Sequence, residues 1–261
     1  VSSFTNIYGT ASAIYLGNYN GQAWALRPNH TSSPSSQLTF NSVNVNVVAD
    51  SAVRVLNDPN DPASGTDLVL FRVDADPGLA NLNLVDSPLA TGTALRLIGN
   101  GRNREASLTR WTAAWAETDN PNASYSGYKW AAGNTLRWGN NNIETYGEDL
   151  NYGQGLLDYF TSDFDNVADE TQAATGDSGG GAFYYDAVED EWFLAGVMET
   201  IASYTNQPGE TAVYGNRPYY ADISKYRDFI LQTVPEPGAS SLIGIALGLY
   251  SLYGRRRRSR G

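Results

Sequence analysis

The sequence contains no cysteine and a single histidine, His30. The first absence excludes disulfides, thiolate metal sites and a cysteine nucleophile, and one imidazole disfavours a histidine-based zinc site. An acidic run could offer oxygen ligands to Ca²⁺, but its spacing lacks the pattern of a calcium loop, which favours a solvated loop. We therefore expect no metal and no cofactor. The run comprises Asp163, Asp165, Asp169 and Glu170.

Basic residues are also scarce, since 17 Lys and Arg stand against 28 Asp and Glu, for a net charge of −11. Five of those basic residues are arginines at positions 255–258 and 260, so the rest of the chain is still more acidic. Proteins that bind nucleic acids need lysine and arginine to neutralise phosphates. We expect no nucleic-acid partner.

The pattern of apolar residues predicts an all-β protein. Short apolar segments alternate with turns of Gly, Asn, Asp and Pro through residues 1–222. Helical spacing appears only near the end, where Ile223, Tyr226 and Ile230 fall at i, i+3 and i+7 before Pro235, which predicts a helix over 223–233. The β segments include Ala13–Leu16, Ala23–Leu26, Val43–Val48, Leu68–Val73, Ala94–Ile98, Gly181–Tyr185 and Phe193–Met198.

The C-terminal tail, residues 234–261, has a composition of its own. Val234–Gly238 reads VPEPG, Ala239–Tyr253 is apolar, and an arginine cluster follows. As a helix the apolar stretch would reach only about 22 Å, short of the roughly 30 Å hydrocarbon core, so it is a marginal membrane span. An amphipathic helix packed on the body is the alternative, but the stretch has no charged face. Arginines after a span stay in the cytoplasm, which would place the preceding chain outside.

This order of Pro-Glu-Pro, short apolar span and arginine cluster resembles the PEP-CTERM sorting signal of bacterial envelope proteins. The resemblance covers residues 234–261 and implies a short hydrophobic tail helix. It also implies an exosortase-type enzyme that processes the tail, transient membrane anchoring, and export to the cell envelope or the extracellular space.

A glycine cluster, Gly176–Gly181 (GDSGGG), surrounds Ser178. Such glycines let backbone N–H groups approach a ligand closely, as an oxyanion site beside a serine nucleophile requires, although an ordinary Gly-rich turn is the alternative. If imidazole activates the serine, the base is His30. No histidine follows Ser178, which excludes the α/β-hydrolase order, and no acidic residue precedes His30, which excludes the subtilisin order. The order His, Asp, Ser remains.

Three segments resemble the catalytic motifs of trypsin-like, chymotrypsin-fold serine proteases: Ala23–His30 (AWALRPNH), Thr66–Val73 (TDLVLFRV) and Gly176–Gly181. The resemblance implies two six-stranded antiparallel β-barrels, an N-barrel over about 1–118 and a C-barrel over about 119–222, in a protease domain of residues 1–233. It implies a triad and an oxyanion hole, with a protein or peptide as substrate. The triad would be His30, Asp67 and Ser178, and the oxyanion hole the N–H groups of Gly176 and Ser178.

Two further residues concern the substrate pocket. By the same resemblance Gln172, six residues before Ser178, would lie at the base of the pocket, which does not imply cleavage after Arg or Lys. Glu199 falls where a small serine is usual. It could narrow the pocket, favour basic side chains or mark a degenerate site. The sequence thus leaves two hypotheses, an exported serine endopeptidase and an inactive binding or matrix protein of the bacterial envelope with the same fold.

Overall fold

The computed structural model describes residues 5–8, 11–31 and 37–234, and the regular secondary structure of this part is β-strand apart from one helix. The all-β prediction is confirmed. The strands are β1 Thr5–Tyr8, β2 Ala11–Tyr19, β3 Gln22–Pro28, β4 Gln37–Phe40, β5 Val43–Asn46, β6 Val53–Leu56, β7 Gly65–Val73, β8 Asn83–Leu84, β9 Ala94–Gly99, β10 Arg102–Arg104, β11 Thr109–Trp111, β12 Tyr125–Asn134, β13 Arg137–Asn142, β14 Thr145–Leu150, β15 Leu157–Thr161, β16 Gly181–Asp186, β17 Glu191–Ala202, β18 Thr211–Val213 and β19 Arg217–Asp222, and the helix is α1 Ile223–Thr233.

The N-terminal sheet has the order β1-β2-β3-β7-β6. Its central strands are buried along most of their length, which is why their sequences are nearly continuous apolar runs rather than alternating ones. Strand β3 pairs antiparallel with β7, and this register sets Pro28 opposite Leu68. The end of β3 therefore lies beside the start of β7, where the predicted histidine and aspartate motifs are.

The second large sheet has the order β13-β9-β16-β17-β19-β15-β14, with β8 paired to β17. Its core includes Phe160 and Tyr220, whose rings stack at 4.9 Å. A smaller sheet of β10, β11, β12 and β18 is built mainly from the chain between β9 and β13. Strand β9 belongs to the second sheet although it precedes residue 118, and the division of the chain into two units at about that residue stays a prediction.

The described strand pairings form open sheets, so the prediction of two closed six-stranded barrels is not confirmed. Strands β4 and β5 form a two-stranded sheet of their own, which leaves five strands in the N-terminal sheet. One large cluster of buried side chains joins residues of both sheets, among them Leu26 and Leu68 from the first and Ile98 and Val197 from the second. This shared core presses the two sheets together.

The C-terminal helix agrees with its predicted bounds, 223–233. Asp222 caps it by accepting a hydrogen bond from the Ser224 N–H at 3.0 Å, and the three apolar residues that predicted the helix are buried. No helix within the described residues is long and apolar enough to span a membrane. The tail motif and its predicted helix lie outside the described residues, apart from Val234.

Candidate active site

The turn that carries His30 follows directly on β3. Its backbone is fixed by the buried Arg27, whose guanidinium donates hydrogen bonds to the carbonyls of Pro28 and Thr31, both at 2.7 Å. The Asn29 N–H donates to the Asp67 carbonyl at 2.9 Å and attaches the turn to β7. Arg27 and Pro28, which depart from the small residues usual before such a histidine, thus hold this turn in place.

Asp67 lies fully buried in β7 and faces His30. Its Oδ1 accepts from the His30 backbone N–H at 2.8 Å, and its Oδ2 lies 2.5 Å from His30 Nδ1, which as the neighbour of a carboxylate carries the proton. The Tyr152 hydroxyl also donates to Oδ2, at 2.6 Å. Burial by itself would raise the pKa of Asp67, but the hydrogen bonds from His30 and Tyr152 outweigh it and lower that pKa. Asp67 is therefore an ionised acceptor that holds the imidazole ring.

Ser178 lies in a turn that only glycine permits on both sides. Gly176 and Gly179 have φ of +101° and +85°, and a Cβ on Gly179 would be 2.0 Å from the Ser12 carbonyl and 2.8 Å from Pro28. The Ser12 N–H also donates to the Ser178 carbonyl at 2.8 Å. These contacts hold the serine turn against β2 and against the end of β3, the strand that leads to His30.

The Ser178 hydroxyl donates to the backbone carbonyl of Glu199 at 3.4 Å, which is a long hydrogen bond. Within the described residues no hydrogen bond joins it to His30. The two groups nevertheless share a neighbour, because the side chain of Glu199 reaches to 3.8 Å from His30 Nδ1. The structure thus brings all three predicted triad residues to one region and shows the His30–Asp67 contact directly.

The turn also leaves backbone N–H groups available for a ligand. The amide of Asp177 donates to the Ala174 carbonyl at 2.9 Å, and the amide of Gly180 donates to the Asp177 carbonyl at 2.7 Å. The N–H groups of Gly176 and Ser178 have no protein acceptor among the described residues. They are the two donors predicted for an oxyanion hole.

The carboxyl of Asp177 points away from this opening and supports the turn from behind. It accepts a hydrogen bond from the Ala174 N–H at 2.8 Å. A Cβ on Gly99 or Gly101 would lie 2.2 Å or 2.1 Å from its oxygens, so both positions need glycine. Burial raises the pKa of Asp177 to about 6. The backbone hydrogen bonds from Ala174 and Gly101 and the charge of Arg137 act in the opposite direction, but they do not outweigh burial.

Glu199 lies on β17, and its side chain turns toward Asp67 and His30. It is 5% exposed, and its Oε2 lies 3.0 Å from the Tyr152 hydroxyl. Burial, and then the charge of Asp67, raises the pKa of Glu199 well above its usual range. Gln172 lines a cavity of about 540 Å³ beside Asp177, and both of its amide atoms are buried there without a partner among the described residues. The two residues predicted for the substrate pocket do not line this cavity together.

Tyr152 is the residue that the sequence did not reveal. It lies in the loop between β14 and β15, far along the chain from both residues that it contacts. The loop is held against the N-terminal sheet by Arg54, whose guanidinium donates to the carbonyls of Thr66 and Gln154. Nothing in the residues around Tyr152 predicts this contact, because it arises from the packing of distant segments.

His30, Asp67 and Glu199 could also be considered as metal ligands, since one potential donor atom from each lies within 4.8 Å of the others. Ligand atoms on a tetrahedral zinc at about 2.0–2.1 Å stand roughly 3.3 Å apart. The 2.5 Å between His30 Nδ1 and Asp67 Oδ2 is shorter than that and is a hydrogen-bond distance. The cluster is arranged as a hydrogen-bonded network.

Comparison with known proteins agrees with this geometry. The mouse serine protease neuropsin, described as expressed in the limbic system of the brain, superposes with a TM-score of 0.54 at 14% identity, covering 89% of this chain and 94% of neuropsin. The chain has the fold of trypsin-like serine proteases. Residues 97–217 also match the Peptidase S6 family, described as immunoglobulin A1 protease. A search of curated protein sequences finds no match.

Proposed function

We propose that this protein is a serine endopeptidase that hydrolyses peptide bonds with His30, Asp67 and Ser178. The observation that carries the proposal is the pair of hydrogen bonds from His30 to the buried carboxylate of Asp67, beside a serine turn with two free N–H groups. The trypsin-like fold and the match to a protease family support it. The substrate would be a protein or peptide.

In this mechanism the Ser178 hydroxyl rotates away from the Glu199 carbonyl and attacks the scissile carbonyl carbon. His30 Nε2 takes the hydroxyl proton, and Asp67 stabilises the imidazolium that forms. The N–H groups of Gly176 and Ser178 bind the developing oxyanion, worth about 3 kcal/mol per donor in comparable sites. His30 then returns the proton to the leaving amine, and water attacks the acyl-enzyme by the same route. The Ser178 hydroxyl bonds the Glu199 carbonyl and not His30 among the described residues, which is compatible with this mechanism because nucleophile–base hydrogen bonds are often formed only once substrate binds.

A fluorophosphonate probe tests the proposal directly. We expect the wild-type protein to be labelled on Ser178, and Ser178→Ala to abolish the labelling, because Ser178 is the serine proposed to be activated by His30, the single histidine. Ser87→Ala is the matched control, since Ser87 is exposed and bonds only Asp86 among the described residues. Labelling that persists in Ser178→Ala would contradict the assignment of the nucleophile.

A second candidate function is a binding or matrix protein with a trypsin-like fold and no catalysis. The hydrogen bond of Ser178 to the Glu199 carbonyl, in place of one to His30, favours it. A folded wild-type protein that takes up no fluorophosphonate at any pH between 6 and 9 would support this function over proteolysis.

We further propose that the tail, residues 234–261, directs export to the bacterial envelope or beyond, with the membrane and an exosortase-type enzyme as its partners. The order of its three parts supports this. Deletion of residues 235–261 should leave the fold intact, because the core cluster of the described residues, which ends at Val234, is complete without them. The deleted protein should move from the membrane fraction to the soluble fraction of the host. Unfolding on deletion would show instead that the tail belongs to the core.

A further inference from the structure

The side chains of Asp67, Tyr152 and Glu199 form a compact cluster beside His30. The Tyr152 hydroxyl lies 2.6 Å from Asp67 Oδ2 on one side and 3.0 Å from Glu199 Oε2 on the other. A phenol has one proton to donate, so it can serve only one of two carboxylates. The other carboxyl must itself carry a proton and donate it to the phenol oxygen.

The surroundings decide which carboxyl holds that proton. Asp67 accepts three hydrogen bonds, two from His30 and one from Tyr152, and these are suited to an anion. Glu199 has no comparable set of donors, and its Oε1 is buried without a partner among the described residues. A buried carboxyl without donors is far cheaper to keep neutral than charged. The proton therefore belongs to Glu199, in agreement with the raised pKa of Glu199 and the lowered pKa of Asp67.

We propose that Tyr152 and neutral Glu199 are positioning residues of the catalytic site, in which Glu199 donates to Tyr152, and Tyr152 donates to Asp67 and holds its carboxylate against His30. The inference rests on the proposed serine protease function and deepens it. Glu199 acts at two points, since its side chain supports Asp67 through Tyr152 while its backbone carbonyl accepts the Ser178 hydroxyl.

Loss of the Glu199 proton would break this arrangement. Two carboxylates would then compete for one phenol proton, and a second negative charge would lie 3.8 Å from His30 Nδ1. The titratable groups that face Glu199 are Asp67 on β7, His30 on the turn after β3, Tyr152 on the β14–β15 loop and Tyr226 on α1. Burial is the main cause that raises the pKa of Tyr226, and the nearby carboxyls of Asp158, Asp222 and Glu199 add to it. The hydrogen bonds from Glu199 to Tyr152 and from Tyr152 to Asp67 are therefore expected to hold the Asp67 carboxylate only while Glu199 is neutral.

The test compares Tyr152→Phe and Glu199→Gln with the wild type by the rate of fluorophosphonate labelling across pH. The phenylalanine variant removes one hydrogen bond to a charged group, so its labelling rate at neutral pH should be at least about 10-fold lower than that of wild type. The glutamine variant keeps a donor for Tyr152 but cannot ionise. It should label within about 3-fold of wild type at neutral pH, and lose the alkaline decline that wild type shows as Glu199 deprotonates.

Tyr220→Phe is the matched control, because Tyr220 is fully buried in the core of the second large sheet and its hydroxyl forms a hydrogen bond with the Ser162 hydroxyl. It should lower the free energy of unfolding without altering the pH profile of labelling. Wild-type rates in Tyr152→Phe, or an unchanged alkaline decline in Glu199→Gln, would overturn the proposal.

A second readout does not depend on activity. His30 is the only histidine, so its Nδ1 proton gives a single low-field NMR resonance that reports the hydrogen bond to Asp67. We expect this resonance to move in Tyr152→Phe and to change with alkaline pH in wild type but not in Glu199→Gln. If wild type is not labelled at all, the proposed protease function is wrong, but this resonance still shows whether the hydrogen bonds from Glu199 to Tyr152 and from Tyr152 to Asp67 exist. A resonance unaffected by either substitution would refute the chain.

Discussion

Replacement of Asp67 by asparagine should disable the site by reversing the tautomer of His30. Asp67 Oδ1 accepts from the His30 backbone N–H at 2.8 Å, so the amide oxygen of the new side chain is expected to take that place. Its NH₂ group would then occupy the position of Oδ2 and face His30 Nδ1. A donor there forces Nδ1 to accept, and the ring proton moves to Nε2. The nitrogen that must take the Ser178 proton is then already protonated.

The expected loss is large although the substitution leaves the number of non-hydrogen atoms unchanged. In sites of this type the same exchange lowers kcat by about 10⁴-fold, equivalent to about 5 kcal/mol of transition-state stabilisation. Tyr152 does not prevent the loss, because its hydroxyl can turn to accept from the new NH₂ group. The site should keep its shape, which separates this effect from unfolding.

Labelling by fluorophosphonate and hydrolysis of a peptide library measure the loss, and the unfolding transition in urea serves as the control for folding. The ¹⁵N chemical shifts of the single histidine report which ring nitrogen carries the proton. A rate above about a tenth of wild type, or a proton that stays on Nδ1, would refute the reasoning, because either would show that Asp67 does not set the tautomer.

Two further predictions concern the serine turn. Gly179→Ala should lower the free energy of unfolding in urea by about 3 kcal/mol, because the new methyl group would lie 2.0 Å from the Ser12 carbonyl and φ is +85°. Gly209→Ala is the control and should change that free energy by less than about 0.5 kcal/mol, because a Cβ there has nothing within 4 Å. Equal effects of the two substitutions would contradict the close packing around Gly179. The raised pKa of Asp177, about 6 against an ordinary 3.8, means that between these values the folded chain retains a proton that the unfolded chain has lost. Wild type should therefore lose stability from this group as the pH rises from about 4 to about 6, relative to Asp177→Asn, and a stability difference between the two proteins that does not change with pH would show that Asp177 ionises normally.

The sequence alone predicts the candidate site because it contains few residues that could act as base or nucleophile. With one histidine and one glycine-flanked serine, the order of residues along the chain was enough to exclude two of the three common triad arrangements, and the structure sets His30 against Asp67 as expected. The C-terminal helix was equally accessible, because the spacing of Ile223, Tyr226 and Ile230 records a single buried face.

The contacts that depend on distant pairing were not accessible. Tyr152 lies between Asn151 and Gly153 in a loop, and only the packing of that loop on β6 and β7 gives its hydroxyl a role. Glu199 was recognised as unusual, but a strand position defines which face a side chain takes and not what lies opposite. The prediction of two closed barrels is not confirmed, and it is a prediction of the same kind, since strand pairing between remote segments leaves no local signal.

The attachment of the Tyr152 loop to Arg54 has a consequence for heat inactivation. This loop departs from one sheet and is tethered to the other, so a slight slippage between the two would withdraw the phenol from Asp67 while every ladder was still intact. The contact between Asp67 and Tyr152 therefore depends on the alignment of the two sheets, and on warming the fluorophosphonate labelling should be lost several degrees before circular dichroism records any melting.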